Sequence, residues 1–461
     1  MSFEGEYASY EPLRRLRESA KVQEFENQVV IHNPTEERES LAGKLVDCPS
    51  LPASDIEPDL ILAFDGGELI AKAQNGYPGA ELGYITVASV LIDIKKVGEL
   101  QKHEFISPRE FRTTEKVESI ETVFPGCNVV SKGELNARTS LRRRVFEEFG
   151  QTSISFSEET LLDTYEHLLQ SAIPDLAKNP PSSPIDGVSS PMKYAMGEHA
   201  CPTSGQALFS TDALRVHELL NDGGSSGEMF GQIRSATEKL WLVHVLRAFE
   251  KRGWLSTLKR VAFIVDGPLA VFSTSAWLSK PIAAELKRIN EAQKVINGND
   301  MLIIGIEKSG TFFNHFVDLD TAKDGTPDWF PRSHALLLND PYIKKHIRFS
   351  DSDKPYGIDT YFGRKIFYKA KSGQILVANL AHFRTPKNDA AGRAYFASDE
   401  LASFPRLRDA TALLDKLVSN RYPNSVSPLV SAHAEAAIPM NLGKRIFDDI
   451  AREIRRRSEE A

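Results

Sequence analysis

The sequence predicts an α/β fold, a mixed sheet flanked by helices with a large and mostly helical insertion. Three observations lead there. Two apolar runs, Leu60-Ile-Leu-Ala-Phe-Asp65-Gly-Gly67 and Val261-Ala-Phe-Ile-Val-Asp266-Gly-Pro268, have the uninterrupted hydrophobicity of buried strands and each ends in Asp-Gly. A strand over 260–266, a helix over 276–295 and a strand over 301–306 form a βαβ unit whose strands should run parallel. Between 95 and 235 the apolar spacing is helical or absent.

Before the first of these strands, residues 1–58 read as peripheral, a charged helical segment at 12–28 followed by the polar stretch His32-Asn-Pro-Thr-Glu-Glu-Arg-Glu39. The strand at 60–65 should deliver the Asp65 carboxylate to its C-terminal end, with Gly66 and Gly67 turning the backbone away. After a turn at 76–79, the β-branched run 83–94 reads as an antiparallel neighbour. In the insertion, taken as 95–227, helices are expected at 136–149 and 158–172. Loops follow at 178–191 and 221–227, rich in Pro, Ser and Gly. We expect this region to sit on the core with modest packing of its own.

A long helix is expected from Glu228 to Gly253, the glycine serving as its stop. Glu238, Trp241, Leu242, Val245 and Phe249 share one face of it, so Glu238 lies on the stripe meant for the core. A carboxylate there is paired, metal-bound or at the lip of the core, and Arg234 one turn earlier offers an ordinary ion pair. In the βαβ unit, Asp266 and the Glu307-Lys308 pair should emerge on one rim, at the strand ends where such sheets gather ligands. A helix near 333–346, a hairpin pairing 365–371 with 374–380, and a helical C-terminal part with a basic tail at 441–461 complete the chain.

The composition is that of an ordinary globular protein, 41% hydrophobic and 26% charged over 461 residues, enough for a sizeable core. No apolar run reaches the length of a membrane span, and the acidic, polar start Met-Ser-Phe-Glu-Gly-Glu-Tyr does not read as a signal peptide. Three scattered cysteines, Cys48, Cys127 and Cys201, argue against a disulfide framework or zinc site and for the cytoplasm. The net charge of −7 exerts no global pull on nucleic acid, and the basic clusters at 142–144, 344–348 and 455–457 read first as solvated helix faces. The glycine loops of nucleotide hydrolases and the Gly-x-Ser-x-Gly of serine hydrolases are absent.

Asp65, Glu238 and Asp266 are oxygen donors of the kind that suits Mg²⁺ or Mn²⁺. Two such ions about 3.5–4 Å apart can activate a water and stabilise the leaving oxygen of a phosphodiester. A strand-terminal Asp-Gly is also an ordinary turn. His433 is either a further ligand or proton donor, or a packed helical histidine beside Leu429 and Ala436. Lys308 would hold a phosphate or the attacking water, or be solvated; His217, His244, His315, His334 and His382 show no paired spacing and are treated as structural.

The order of these features resembles the NurA nuclease family. An apolar strand ending in Asp-Gly is followed by Arg234-x-x-x-Glu238 on a helix, then by a second strand ending in Asp266-Gly-Pro-Leu269. A strand running into Lys308-Ser309 and a late Tyr422-Pro…Pro428-Leu-x-x-Ala-His433 complete the match, which spans roughly 58–440. The resemblance implies a ribonuclease-H-like fold over 59–440 and Mn²⁺- or Mg²⁺-dependent cleavage, with two ions, of single-stranded DNA and DNA ends. It also implies a homodimer that docks on a hexameric HerA-type translocase ATPase, in DNA repair or antiviral defence. By the same resemblance Asp65, Glu238, Asp266 and His433 are metal-binding residues, and Tyr422 and Lys308 accompany them. The chain departs from the family in three places: Gly67 stands where Ser is frequent, Asn424-Ser-Val-Ser427 lengthens the last motif, and the 95–227 insertion is long. The alternatives are a ribonuclease-H-like nuclease for RNA or branched DNA, and a non-catalytic DNA-end-binding or scaffold subunit.

Overall fold

The computed structural model describes residues 10–29, 37–74, 79–95, 115–185, 187–321, 329–384, 386–388, 394–396, 398–418, 426–436 and 442–459. Its first half contains α1 (Glu11–Glu18), α2 (Ala20–Gln28), β1 (Leu45–Asp47), β2 (Leu60–Gln74), β3 (Ala80–Asp93), β4 (Glu115–Pro125), α3 (Ala137–Gln151), α4 (Leu161–Leu176), β5 (Glu198–Ala200), β6 (Ala207–Phe209) and α5 (Gly227–Lys251). The second half contains β7 (Val261–Asp266), α6 (Ser279–Asn297), β8 (Leu302–Glu307), α7 (Thr311–Asp320), β9 (His334–Leu337), β10 (Gly363–Lys369), β11 (Ile375–Ala381), α8 (Leu407–Leu417), α9 (Ser427–Ala436) and α10 (Leu442–Glu459).

One nine-stranded mixed sheet organises the described residues, in the order β1-β9-β10-β11-β8-β7-β2-β3-β4. Its centre is parallel: β7 runs beside β8, as the βαβ spacing predicts, and β2 runs beside β7. Antiparallel strands extend it both ways, β3 and β4 from β2 and β11 and β10 from β8. Along β2 and β7 successive side chains point to opposite faces, and this parity divides the core. Leu62, Phe64, Phe263 and Val265 face α5, where they join Leu240 and Trp241, with Phe64 and Phe263 stacked at 6.5 Å. Ile61, Ala63, Ala262 and Ile264 face the other way, toward Leu407 and Leu414 of α8 and Leu429 and Ala432 of α9. Each of the Ile, Leu, Val and Phe side chains among them, being buried, contributes about 1.5–3 kcal/mol to the layered arrangement.

Four expectations need correction. The first Asp-Gly does not end its strand: β2 continues through Gly66 and Gly67 to Gln74, paired with β3 throughout. The 95–227 insertion is built into the core more closely than modest packing of its own implies, although Ile185, Cys201 and Leu208 do form a small cluster within it. It supplies β4, an edge of the main sheet, and Leu141, Phe149, Tyr165 and Leu168 share the cluster that contains Phe64 and Trp241. The segment before residue 58 likewise supplies the edge strand β1 and the buried Leu41 and Cys48, while α1 and α2 bury nothing. Finally, His334–Leu337 is a strand between β1 and β10, and only 340–347 is helical, because a short apolar run fits either state and the open sheet edge selects the strand.

Of the basic cluster at 142–144, Arg142 is no solvated residue. It is buried and donates from Nε and Nη2 to the two carboxylate oxygens of Asp212 at 2.7 and 2.6 Å. The three cysteines are buried and free. Among the described residues no helix is long and apolar enough to cross a membrane.

Candidate active site

The β2–β7 ladder ends at Phe64 and Val265, so Asp65 and Asp266 follow side by side at the point where β7 stops and β2 runs on. By parity both carboxylates stand on the α9 face of the sheet, continuing the rows Ile61–Ala63 and Ala262–Ile264. Asp65 is 3% exposed. Its Oδ1 accepts from the Gly66 N–H at 2.8 Å, and its Oδ2 lies 2.9 Å from Nδ1 of His433 on α9. His433 is therefore no packed helical histidine: its side chain is 62% exposed, while Leu429 and Ala432 do the packing.

The glycines show why β2 can carry this site. Gly66 lies on the opposite face, directly beneath the Glu238 carboxylate and Arg234 of α5, and a Cβ there would collide with the carboxylate. Gly67 returns to the α9 face, where a Cβ would strike the carbonyl oxygen of Ala436, which accepts from the Thr86 hydroxyl. The pair thus lets two helices close on the strand from both sides, a use of glycine distinct from a turn. The second Asp-Gly is a turn: Gly267 has φ +77° and leaves β7 there.

Glu238 reaches the same place from the α5 side, through the gap that opens beyond the end of β7. It is 4% exposed and lines a cavity of about 220 Å³ together with Asp65, Asp266, Arg234 and Lys239. The carboxylates are met by cations. Arg234 donates to Glu238 Oε1 at 2.5 Å and is also paired with Glu68 at 3.3 Å. Lys239 donates to Glu238 Oε2 at 3.2 Å and to the Asp266 carbonyl at 3.3 Å, and Lys308 is paired with Asp266 at 2.8 Å. Glu307, expected on this rim, is instead taken up by Lys365 and by Asn379, whose Nδ2 donates at 2.6 Å. Burial holds the Asp65 carboxyl above its usual range; the His433 hydrogen bond works against this, and the neighbouring Asp266 and Glu238 carboxylates work with it. The hydrogen bond to Asp65 raises the His433 imidazole.

The structure therefore brings Asp65, Asp266 and His433 together on one face, Glu238 beside them from the other, and Lys308 against Asp266. Tyr422 lies outside the described residues. Among the described residues no three or more His, Cys, Asp or Glu side chains converge closely enough to hold a metal ion as they stand. The donor chemistry nonetheless fits a hard divalent cation: oxygen donors cluster, two of them buried, and Glu238 and Asp266 are each balanced by a side-chain cation that an ion would replace. Sequence reasoning missed Lys239 and Glu68. A lysine that is buried beside the apolar run Leu240-Trp241-Leu242-Val243 was the available signal for the first.

Residues 59–438 match the family model described as the NurA domain. Among curated proteins none matches the chain. Of solved structures, the NurA nuclease from Sulfolobus solfataricus is similar at 11% identity, covering 97% of both chains, with a TM-score of 0.34. A crystal structure of NurA is similar at 10% identity, 94% and 95% coverage and TM-score 0.23. A crystal structure of NurA with manganese is similar at 12% identity, 92% and 95% coverage and TM-score 0.24.

Proposed function

Because the chain belongs to the NurA family, we propose that it is a metal-dependent DNA nuclease, cutting single-stranded DNA and DNA ends. The observation that carries the reading is the placement of Asp65 and Asp266 side by side on adjacent parallel strands, with Glu238 lining the same cavity. Adjacent-strand carboxylates joined by one from a helix are what the ribonuclease-H-like arrangement asks for. Asp65, Asp266 and Glu238 would hold Mn²⁺ or Mg²⁺, in a two-ion site, with His433 as a further ligand. The metal would polarise the phosphodiester and lower the pKa of a bound water.

The chain's own groups supply the rest. Lys308, 2.8 Å from Asp266, stands where a displaced phosphate oxygen would meet a positive charge. His433 is oriented through Nδ1 by Asp65, which leaves Nε2 as the ring nitrogen that would meet the ion. Arg234 holds the Glu238 carboxylate at the cavity wall through its bond to Oε1. Tyr422 would join them from the segment preceding α9.

A homodimer docked on a HerA-type hexameric ATPase, in DNA repair or antiviral defence, belongs to the same proposal and rests on family membership alone. Cleavage of a labelled single strand with Mn²⁺, Mg²⁺ or EDTA tests the activity. Wild type should cut with metal only, and equal cutting by Asp65→Ala would reject the site. The cations held by Glu238 and Asp266 favour one competing reading, a DNA-end-binding subunit without catalysis. That reading gains if no Mn²⁺ binding is detected by calorimetry and nothing is cut even with the ATPase present.

A further inference from the structure

A second cavity, of about 450 Å³, opens beside the candidate active site, between the first turns of α6 and the ends of β10 and β11. Phe272 and Ala270 line the active-site cavity and Tyr361 lines this one. The Phe272 and Tyr361 rings meet edge to face at 5.5 Å, and Ala270 forms a β-bridge with Tyr361, so one thin wall separates the two spaces.

Arg364 projects into the second cavity under unusual terms. It is only 7% exposed, yet among the described residues it has no ion-pair partner. Its Nη1 makes one long bond of 3.3 Å to the Gly363 carbonyl, its guanidinium lies over the Phe396 ring at 3.3 Å, and its Nε is buried without a partner. Burial pulls the guanidinium down to about 10, with Asp340 opposing from a distance. His382 on the same wall also has a buried, unpartnered Nε2. A buried cation without a counter-charge is strongly disfavoured, and a bound anion would relieve that cost. Lys280, Lys287 and Arg384 stand on the cavity's lining and give it a positive entrance, although each also has a carboxylate at 2.8, 3.7 and 3.9 Å. Tyr361, Phe362, Phe383 and Phe396 supply flat apolar surface beside these charges.

Positive charge interleaved with aromatic rings is how proteins hold single strands, through the backbone phosphates and the π-faces of bases. We propose that this cavity is a nucleotide subsite in which Arg364 binds a backbone phosphate of a single strand that also enters the candidate active site, while the aromatic wall takes the base. The proposal rests on the nuclease reading and adds to it the path of the strand, past the Phe272–Tyr361 edge.

The test is fluorescence anisotropy with a fluorescein-labelled thymidine oligonucleotide about twelve nucleotides long, in EDTA so that binding is measured without cleavage. Arg364→Ala removes the central contact, but the residue is buried, so two surface variants accompany it. Ala284→Trp places a ring in the cavity from an exposed position of α6, and Arg384→Ala removes a half-exposed charge. Each of the three should weaken binding about tenfold or more, with circular dichroism confirming that the two surface variants are folded. Wild-type affinity in both Ala284→Trp and Arg384→Ala overturns the subsite, and leaves the nuclease reading standing if the wild type still cuts. A wild-type protein that neither binds nor cuts overturns both.

Discussion

Alanine at either glycine of β2 probes the closure of the two helices on the strand. At Gly66 the new Cβ would overlap the Glu238 carboxylate and come within 3.0 Å of Arg234 Cγ. The carboxylate is the far end of a flexible side chain and can swing aside, at the cost of its pairing with Arg234. Overpacking of this kind costs about 1–3 kcal/mol, and the loss of backbone entropy in the unfolded chain returns about 0.4–1, so the net is about 1 kcal/mol. At Gly67 the obstacle is the backbone carbonyl of Ala436, which cannot rotate away, with Thr86 Oγ1 beside it at 2.8 Å. That substitution must push α9 off the sheet, at about 2–3 kcal/mol. Gly66→Ala should thus be nearly as stable as wild type in urea denaturation followed by tryptophan fluorescence. It should nonetheless lose on the order of a hundredfold in Mn²⁺-supported cleavage, the usual consequence of displacing a positioned group by about an ångström. Gly67→Ala should lose both stability and activity. Wild-type cleavage by Gly66→Ala, or equal stability of the two variants, would refute the argument.

Asp65→Asn and Asp266→Asn should each lower cleavage of a labelled single strand on the order of a hundredfold or more without unfolding the protein, as circular dichroism would show. Removing one member of the buried Arg142–Asp212 pair, as in Arg142→Met, should cost about 3–5 kcal/mol in chemical denaturation, because the Asp212 carboxylate is left buried and unpaired. Glu285 is held down to about 2 by hydrogen bonds from Arg288 and Arg247, against the opposing effect of burial. A carboxyl depressed in the folded state stabilises above its unfolded value near 4.5 and loses that contribution as pH falls from about 4.5 toward about 2. The shift corresponds to about 3 kcal/mol, so the loss of stability with acid over that window should be shallower in Glu285→Gln.

The parallel pairing of β7 with β8 was legible because their apolar runs are those of strands buried on both faces and the span between them fits a helical crossover. The extent of β2 was not. A glycine pair after an aspartate serves a turn or a close approach equally well, and only the positions of Glu238 and Ala436 distinguish them. The strand β4 left a faint trace in Ile120, Thr122 and Phe124, alternate residues that face inward, diluted by the glutamates between them. The pairing of Arg234 with Glu238 could be read from helical spacing. That Glu238 approaches from the opposite face to Asp65 could not, since it depends on strand register. Arg364 was hidden for a similar reason: nothing in Phe362-Gly-Arg-Lys365 tells which of two adjacent cations finds a carboxylate. Lys365 meets Glu307, and among the described residues Arg364 pairs with none.

The bond between Asp65 and His433 spans 368 positions of sequence. A ribosome works from the N-terminus, and domains begin to fold as they emerge. β2, α5 and β7, and with them all three carboxylates, are therefore made well before the helix that supplies the imidazole. Throughout that interval the nascent chain has its acidic residues but not the histidine. A product cut short before α9 would never acquire it. The order of the elements therefore delays assembly of the Asp65–His433 pair until α9 has been made.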